Sequence, residues 1–531
     1  MSHLTKITDA RCNSSVFTYD IFGNLTSKED SLGNKSIYEY DAAGRLCKET
    51  NPDGSIVSNE YDRLGNLTSK VLPGGDKEEY QYDKSGKIKH IKYADGTEES
   101  IEYTIDGKIS SVTDVNGNTS TYEYVSDNLS KIISDTGNTT SISYVDGEVQ
   151  SVLSNDVSVS YSYDANGNLI EKKDALGNSS KSEYNLYDEK TADIDANGNK
   201  TSYEYDAAGN RVSATYPNGL KIDFKYDAIG NISEASLMVN GKKAVTQNEY
   251  DAVGNLISYT DENGNKTSYE YDSENNLISV KNKNGVEIEQ YKYDSMGRVI
   301  YEKTTTTETT NSYDVNGNLI KSVEKTIGAE SEGNETEYKY DKAGRLLQVT
   351  DPSGNITSQS FDNAGNLLSV TDAMGGTTNY TYDSDSHLLS EKNAIGSEKT
   401  YTYDEFGNVK TVTNGRGQIT EFSYDVNGRV VEKKDEVGTV KYEYDANGNL
   451  LTVSDSTGKI TRKYDSMNRV TECTDVSGRT VKYSYDELGN IISLTYPGGE
   501  IVRYSYNLDG SLNAVIDGAN NKTQYEYDKE R

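Results

Sequence analysis

Tryptophan is absent from this 531-residue chain, and Phe (6), Pro (5), His (3) and Cys (3) are scarce. Each scarcity excludes something. Cys12, Cys47 and Cys473, an odd number at unrelated spacings, give neither a disulfide framework nor a zinc-ligand pattern, and are read as packing residues. His3, His90 and His387 are too scattered to suggest a Ser/His/Asp or Cys/His arrangement. The first twenty residues lack an apolar signal-peptide core, and no stretch approaches the ~20 apolar residues that span a bilayer as a helix. Basic residues are also short, 54 against 86 acidic, for a net charge of -32. Such a surface repels phosphate backbones and anionic membranes and leaves a cationic partner open. Setting 44 Tyr aside from the 33% hydrophobic class leaves about a quarter of the chain to build a core. With a mean hydropathy of -0.79, that is thin for a solid interior and close to the composition of disordered chains.

What is abundant is Tyr, Gly, Asp and Asn in a fixed order. A period of about 21 residues runs from end to end, marked by Y-D-x-x-G-[N/R]-[L/I/V], and recurs about 25 times as far as Tyr527. The marker's Tyr, Asp and Gly fall at Tyr40, Asp41 and Gly44; Tyr61, Asp62 and Gly65; and Tyr163, Asp164 and Gly167. They return at Tyr205, Asp206 and Gly209; Tyr403, Asp404 and Gly407; and Tyr444, Asp445 and Gly448. Between markers lies a second turn signal, such as DSLGN from Asp30 or DENGN from Asp261. The intervening segments, KTSYEYD from Lys266 among them, alternate with period two and are rich in β-branched residues and Tyr.

Each repeat therefore reads as strand, turn, strand, turn. Asp bonds the amide two residues on, Gly supplies a positive φ, and the following Leu, Ile or Val begins the next strand. Turn signals every ten residues or so exclude helix. The predicted fold is all-β, one continuous array over 1–531 whose hairpins form a spiralling antiparallel sheet with Tyr beside Tyr in aromatic ladders. Phase irregularities predict longer loops near 232–249 and 320–339, and TTTTETT from Thr304 is expected in a strand.

No catalytic constellation is expected, because a Tyr-Asp pair present in nearly every repeat is scaffolding. One stretch fits the spacing of an EF-hand calcium loop: Asp193, Asp195, Asn197, Gly198 and Glu204. It lacks flanking helices and reads first as an ordinary turn running into a YEYD strand, with only a weak, nonclassical calcium site as the alternative. No cofactor is expected. Sequons at Asn24, Asn66, Asn118, Asn265 and Asn355 arise wherever Gly-Asn precedes a β-branched or Ser-rich strand. Exposed Tyr beside Asn and Asp is also the chemistry of carbohydrate recognition.

The YxYDxxGNL and YxYDxxGRL units resemble the YD repeats of Rhs proteins, wall-associated bacterial repeat proteins, Tc-toxin shell components and teneurins. The resemblance covers essentially the whole chain. It implies a β-sheet that closes wholly or partly into a hollow shell around a C-terminal toxin or effector domain, of the same or a neighbouring chain. The alternative is a cell-surface adhesive body that binds glycans or proteins. Either role implies a secreted or surface location for the full-length protein and no enzyme activity in the repeats themselves. The core segment with a self-cleaving aspartyl protease site that follows such repeats is not found; DPSG from Asp351 echoes it but falls in register as an ordinary second turn. Neither end looks like a cap, so the chain is expected to be a fragment without its export, capping, core and toxin regions. About fifty strands at ~4.8 Å spacing form a strip of roughly 240 Å, enough to wind fewer than two times around a guest of ~100 residues.

Overall fold

A computed structural model describes residues 3–330 and 332–527. Among the described residues there is no helix. Fifty strands, from Lys6–Thr8 to Lys522–Gln524, form a single unclosed sheet in which each strand pairs antiparallel with its neighbours in sequence.

One repeat shows how the sequence makes this pattern. In the strand Lys35–Tyr40, Ser36, Tyr38 and Tyr40 lie half-buried on one face, while Lys35, Ile37 and Glu39 are exposed on the other. The strand pairs Ile37↔Thr50, Tyr38↔Glu49 and Glu39↔Lys48, then the register slips so that Tyr40 faces Leu46. The same bulge precedes Tyr61, Tyr205, Tyr403 and Tyr444. At the opposite end the next hairpin closes without one: Lys48↔Ser58, Glu49↔Val57, Thr50↔Ile56. Bulges recur at the marker-turn end of the repeats, with one more at a second turn between Val280 and Lys281, and bend and twist the strands repeatedly in the same sense, so the sheet coils.

The coil returns on itself. Turns separated by 242 to 269 residues are hydrogen-bonded, from Gly74 with Asn316 to Asn218 with Glu487. About two dozen strands therefore make one circuit, roughly 115 Å around and ~37 Å across between backbones. The chain completes about two circuits, a tighter coil than the strip length alone implies.

The wall is one layer thick. The chain exposes 30832 Å², whereas a compact monomer of 58.6 kDa exposes roughly 19,000 Å². Its buried side chains are mostly small, including Ala192, Ala214, Ser69, Ser213 and Ser258.

Four expectations require correction. The stretch 232–249 is not a loop but a lengthened hairpin, Ile232–Val239 with Lys242–Tyr250, closed by Asn240 and Gly241. Its extra residues sit opposite one another and extend the ladder. Near 320–339 the strands Leu319–Thr326 and Asn334–Tyr340 occupy most of the span. The Thr-rich run divides: Thr304 accepts the amides of Thr306 and Thr307 and makes a turn, and the strand begins at Thr307. Cys12 is an exposed turn residue at φ +71°, the place Gly takes elsewhere, while Cys47 and Cys473 are half-buried; all three are free thiols.

Candidate functional site

The marker turn is a closed hydrogen-bonded unit. The Asp41 carboxylate accepts the amides of Ala43 (2.9 Å) and Arg45 (3.0 Å) on one oxygen and the Arg45 Nε (2.7 Å) on the other. Where Asn replaces Arg its amide makes the same bond, as Asn66 does to Asp62 at 2.8 Å and Asn168 to Asp164 at 3.0 Å. Asp206, Asp404 and Asp445 accept from Asn210, Asn408 and Asn449 in the same way. Gly44, at φ +77°, supplies the left-handed residue that closes the turn by donating to the Asp41 carbonyl at 2.9 Å. The equivalent glycines Gly65, Gly167, Gly209, Gly407 and Gly448 lie between φ +80° and +96°.

Successive turns are stapled to one another. Pairing of Leu46–Thr50 with Ile56–Tyr61 stops at Lys48↔Ser58, and the Tyr61 hydroxyl donates to the Leu46 carbonyl beyond that point at 2.9 Å. Tyr205, Tyr403 and Tyr444 bond the carbonyls of Lys190, Leu388 and Val430 at 2.7–2.8 Å. Tyr40 and Tyr163 occupy the same strand end, opposite Leu46 and Leu169. The Tyr-on-Tyr ladders expected from the sequence are replaced by a mixed stack. Arg45 lies 4.9 Å from the Tyr61 ring and donates to the Asp62 carbonyl at 2.7 Å, and Arg429 and Arg469 repeat the arrangement over Tyr444 and Tyr485. His387 does so over Tyr403 while bonding Asp383 at 3.0 Å. The step from one Tyr to the next spans two strands, too far for ring contact, and in these repeats the Arg, Lys or His side chain fills it.

A second set of contacts joins the two circuits. Marker turns between residues 251 and 510 rest on second turns between 9 and 263. Asn197 donates to Asp445 (2.9 Å) while Asn447 donates to Asp195 (2.6 Å), a reciprocal clamp. Asn427 bonds Asp174 (2.6 Å), Asn263 bonds Asp509 (2.8 Å), and Arg298 and Arg345 pair with Asp53 and Asp95 at 3.5 and 3.9 Å. Gly74 donates to Asn316 at 2.9 Å, and a Cβ there would meet that side chain at 2.7 Å. Burial at this seam pushes the Asp195 and Asp445 carboxyls up. Amide donation from Asn199 and Asn447, and from Asn449 and Asn197, outweighs it and holds both below the usual carboxylate range.

Comparison with known families follows the same repeat. The Teneurin YD-shell profile matches residues 218–334 and 411–531. The RHS Repeat profile matches 19–56, 61–98, 191–221, 313–356, 361–394 and 382–419. The chain is built of YD (Rhs) repeats. In this family and fold the repeat is a structural unit, not a catalytic one. No curated protein matches the chain. Among solved structures, the YD-repeat chain is similar to the crystal structures of TcdB2-TccC3-Cdc42 and TcdB2-TccC3, each at 15% identity and a TM-score of 0.49. The match covers 94% of this chain and 30% and 31% of those chains. The Photorhabdus luminescens Tc holotoxin pore matches at 14% identity over 94% of this chain and 30% of that one, with a TM-score of 0.46. The YD-repeat chain thus spans under a third of the length of these solved chains.

Within the YD-repeat sheet the five residues of the calcium-like spacing do not converge. Asp193 accepts from Ser182 (2.9 Å) and Tyr203 (3.1 Å) and pairs with Lys190 (3.0 Å). Glu204, adjacent to Tyr203 and so on the opposite face, accepts from Ser213 (2.7 Å) and pairs with Lys221 (3.1 Å). Asp195 caps its own turn and joins Asn197 in the seam, and Gly198 closes the turn at φ +86°. Among the described residues no group of three or more His, Cys, Asp or Glu is placed to hold a metal ion. Asp351 in DPSG caps Ser353 and Asn355, as a second turn does. The sequon amides of Asn24, Asn66, Asn265 and Asn355 are each bonded to their turn Asp at 2.8 Å. The seam is the feature that sequence reasoning missed. Its only signal there is the choice of polar residue at the two variable turn positions, which has meaning only once the coil pitch is known.

Proposed function

We propose that this chain is the wall of a container that holds a toxin or effector polypeptide, of the same or a neighbouring chain, away from its surroundings until delivery. The observation that carries this reading is a one-layer sheet coiled through about two circuits, with its hairpin ends clamped together and no second layer filling the middle. Subtracting ~6 Å of side chain on each side of a ~37 Å circuit leaves a bore of roughly 25 Å. A folded guest of ~100 residues, with a radius of gyration near 13 Å, is ~34 Å across and too wide. The guest that fits is a small domain or a chain without native tertiary structure. Such a role places the full-length protein outside the cell or at its surface. Among the described residues no helix is long and apolar enough to cross a membrane, which says nothing of strands.

The test is protease protection of an unfolded reporter segment fused after Arg531. Survival of the reporter while the free segment is digested is the expected result. Cleavage of both at one rate overturns the container reading. A second reading, glycan binding at a cell surface, draws support from an open hollow at the seam where Tyr380, Tyr382, Asn116, Asn118 and Asp383 meet. Retention on immobilised glycans, lost in the double variant Tyr380→Ala/Tyr382→Ala, is its expected signature; no retention by the parent chain eliminates it.

A further inference from the structure

Asn-Gly is the dipeptide most prone to losing its side-chain amide, because a Gly nitrogen carries no Cβ beside it to hinder attack on the Asn Cγ. The chain holds eleven such pairs, the first at Asn116 and the last at Asn447. Two things restrain the reaction in a folded chain. A Gly N–H that donates to a carbonyl keeps its proton, and an Asn side chain held by partners keeps its Cγ out of reach.

Nine of the eleven Gly amides are engaged. From Gly117 to Gly448 they donate to the carbonyl three residues back at 2.8–3.2 Å. Several of these Asn side chains are held as well, Asn197 and Asn447 in the seam and Asn166 by Asp188 at 2.8 Å. The tenth pair, Asn414 and Gly415, is fixed through its side chain. The Asn414 carbonyl oxygen accepts the amides of Arg416 (2.9 Å) and Gln418 (3.1 Å), and its NH2 group donates to Gln418 Oε1 at 2.9 Å.

Asn240 and Gly241 differ from all of these. They close the lengthened hairpin as a two-residue turn, Asn240 at φ +49° and Gly241 at φ +75°, with Val239 opposite Lys242. In such a turn the flanking pair carries the closing bonds and the two tip N–H groups point outward. Among the described residues neither the Gly241 amide nor the Asn240 side chain makes a hydrogen bond, and both residues are exposed. No heavy atom lies within 4 Å of where a Gly241 Cβ would sit. The Asn240 backbone amide reaches the seam, donating to Glu487 Oε2 at 3.3 Å, next to the bond from Asn218 to the Glu487 carbonyl.

We propose that Asn240 is a site of spontaneous deamidation, and that its conversion loosens the seam at Glu487. The Gly241 nitrogen loses its proton to solvent and bonds to Asn240 Cγ. The Cγ–N bond of the side chain breaks, ammonia leaves, and a five-membered succinimide remains. Water then opens the ring at either carbonyl, giving Asp or its β-linked isomer. Both products set a carboxylate against Glu487, and like charges facing each other oppose the contact. The isomer also lengthens the backbone at the tip and disturbs the pairing of Val239 with Lys242. The reaction needs only water, so this point of the seam carries its own timer.

The test holds the folded chain in warm, mildly alkaline buffer for weeks beside a copy in urea. Samples are digested at acid pH and mapped by mass spectrometry for the mass gained when an amide becomes an acid. Asn240 is expected to convert first in the folded chain, the other ten being roughly fivefold slower for each hydrogen bond that must open, and the eleven rates should converge in urea. Conversion of Asn240 no faster than the others in the folded chain overturns the site. The effect on the seam is read by amide exchange of Asn240→Asp, with Asn240→Gln as the neutral control. Faster exchange at Asn218 and in the turn 486–490 of the Asp variant alone, reversed in Asn240→Asp/Glu487→Gln, is the expected result. Equal exchange in the Asp and Gln variants overturns the loosening of the seam.

Discussion

At the scale of single residues, the repeat depends on a few atoms that no neighbour can replace. Gly65 sits at φ +96° with open space around its Cα, so Gly65→Ala meets only the backbone cost of a left-handed residue, ~1–2 kcal/mol. Tyr61→Phe removes a single bond, from its hydroxyl to the Leu46 carbonyl, with an expected loss of about 1 kcal/mol. Both losses should show as faster amide exchange confined to the hairpin Ile56–Val71, since each strand touches only its sequence neighbours; exchange that rises throughout the chain would mean the array unfolds as one unit. The alkaline limit is also set residue by residue. Burial, reinforced by donation to Glu78 and Glu289, pushes the Tyr80 and Tyr291 hydroxyls up to about 12. The folded value is the higher one, so their contribution is complete below the ordinary value near 10 and is lost as pH climbs toward 12. A 295 nm titration should show late-ionising tyrosines in the native protein and none in urea.

At the scale of the element, the marker turn behaves as an anionic cap. Bonds from the Arg45, Asn66, Asn168 and Asn210 side chains, then from backbone amides, hold the Asp41, Asp62, Asp164 and Asp206 carboxyls below their usual range. With folded values below the unfolded value of ~3.9, this stability is present above that pH and disappears as pH falls through the folded values. The melting temperature should hold steady from pH 7 to about 5 and drop below about 4. A melting temperature unchanged down to pH 2 would mean that the caps contribute nothing. Much of this element was legible in the sequence, because Asp, Gly and the residue after Gly act within five positions of one another. The partner of the Arg or Asn side chain was not. Arg45 holds its own Asp41, but it also reaches the ring and carbonyl of the next repeat, a contact set by strand spacing rather than by sequence distance.

At the scale of the whole molecule, stability comes from a ladder and a seam in place of a core. A sheet that leaves 30832 Å² in water exposes comparatively little new apolar surface on unfolding. Calorimetry should therefore give a heat-capacity change per residue clearly below the ~12–15 cal/mol/K of compact domains; a value in that range would require a filled interior. The seam can be locked directly. A Cβ on Gly74 would lie 3.3 Å from Cγ of Asn316, so Gly74→Cys/Asn316→Cys, in a background with Cys12, Cys47 and Cys473 replaced by Ser, should oxidise in air and raise the melting temperature. Failure to oxidise would place the two circuits further apart than this seam allows.

The sequence by itself determined the strands, the two kinds of turn and the repeat, because alternation and turn chemistry are local and were written about 25 times over. Only the tertiary structure decided the pitch of the coil, and with it which turns meet. Pitch accumulates from small bends at every bulge, and no single repeat encodes the sum. That is why Asp195, read from the sequence as a turn residue or a calcium ligand, also receives an amide bond from Asn447, 252 residues away. It is also why 232–249, whose irregular phase suggested a loop, is a longer hairpin: the ladder continues wherever residues remain opposite one another.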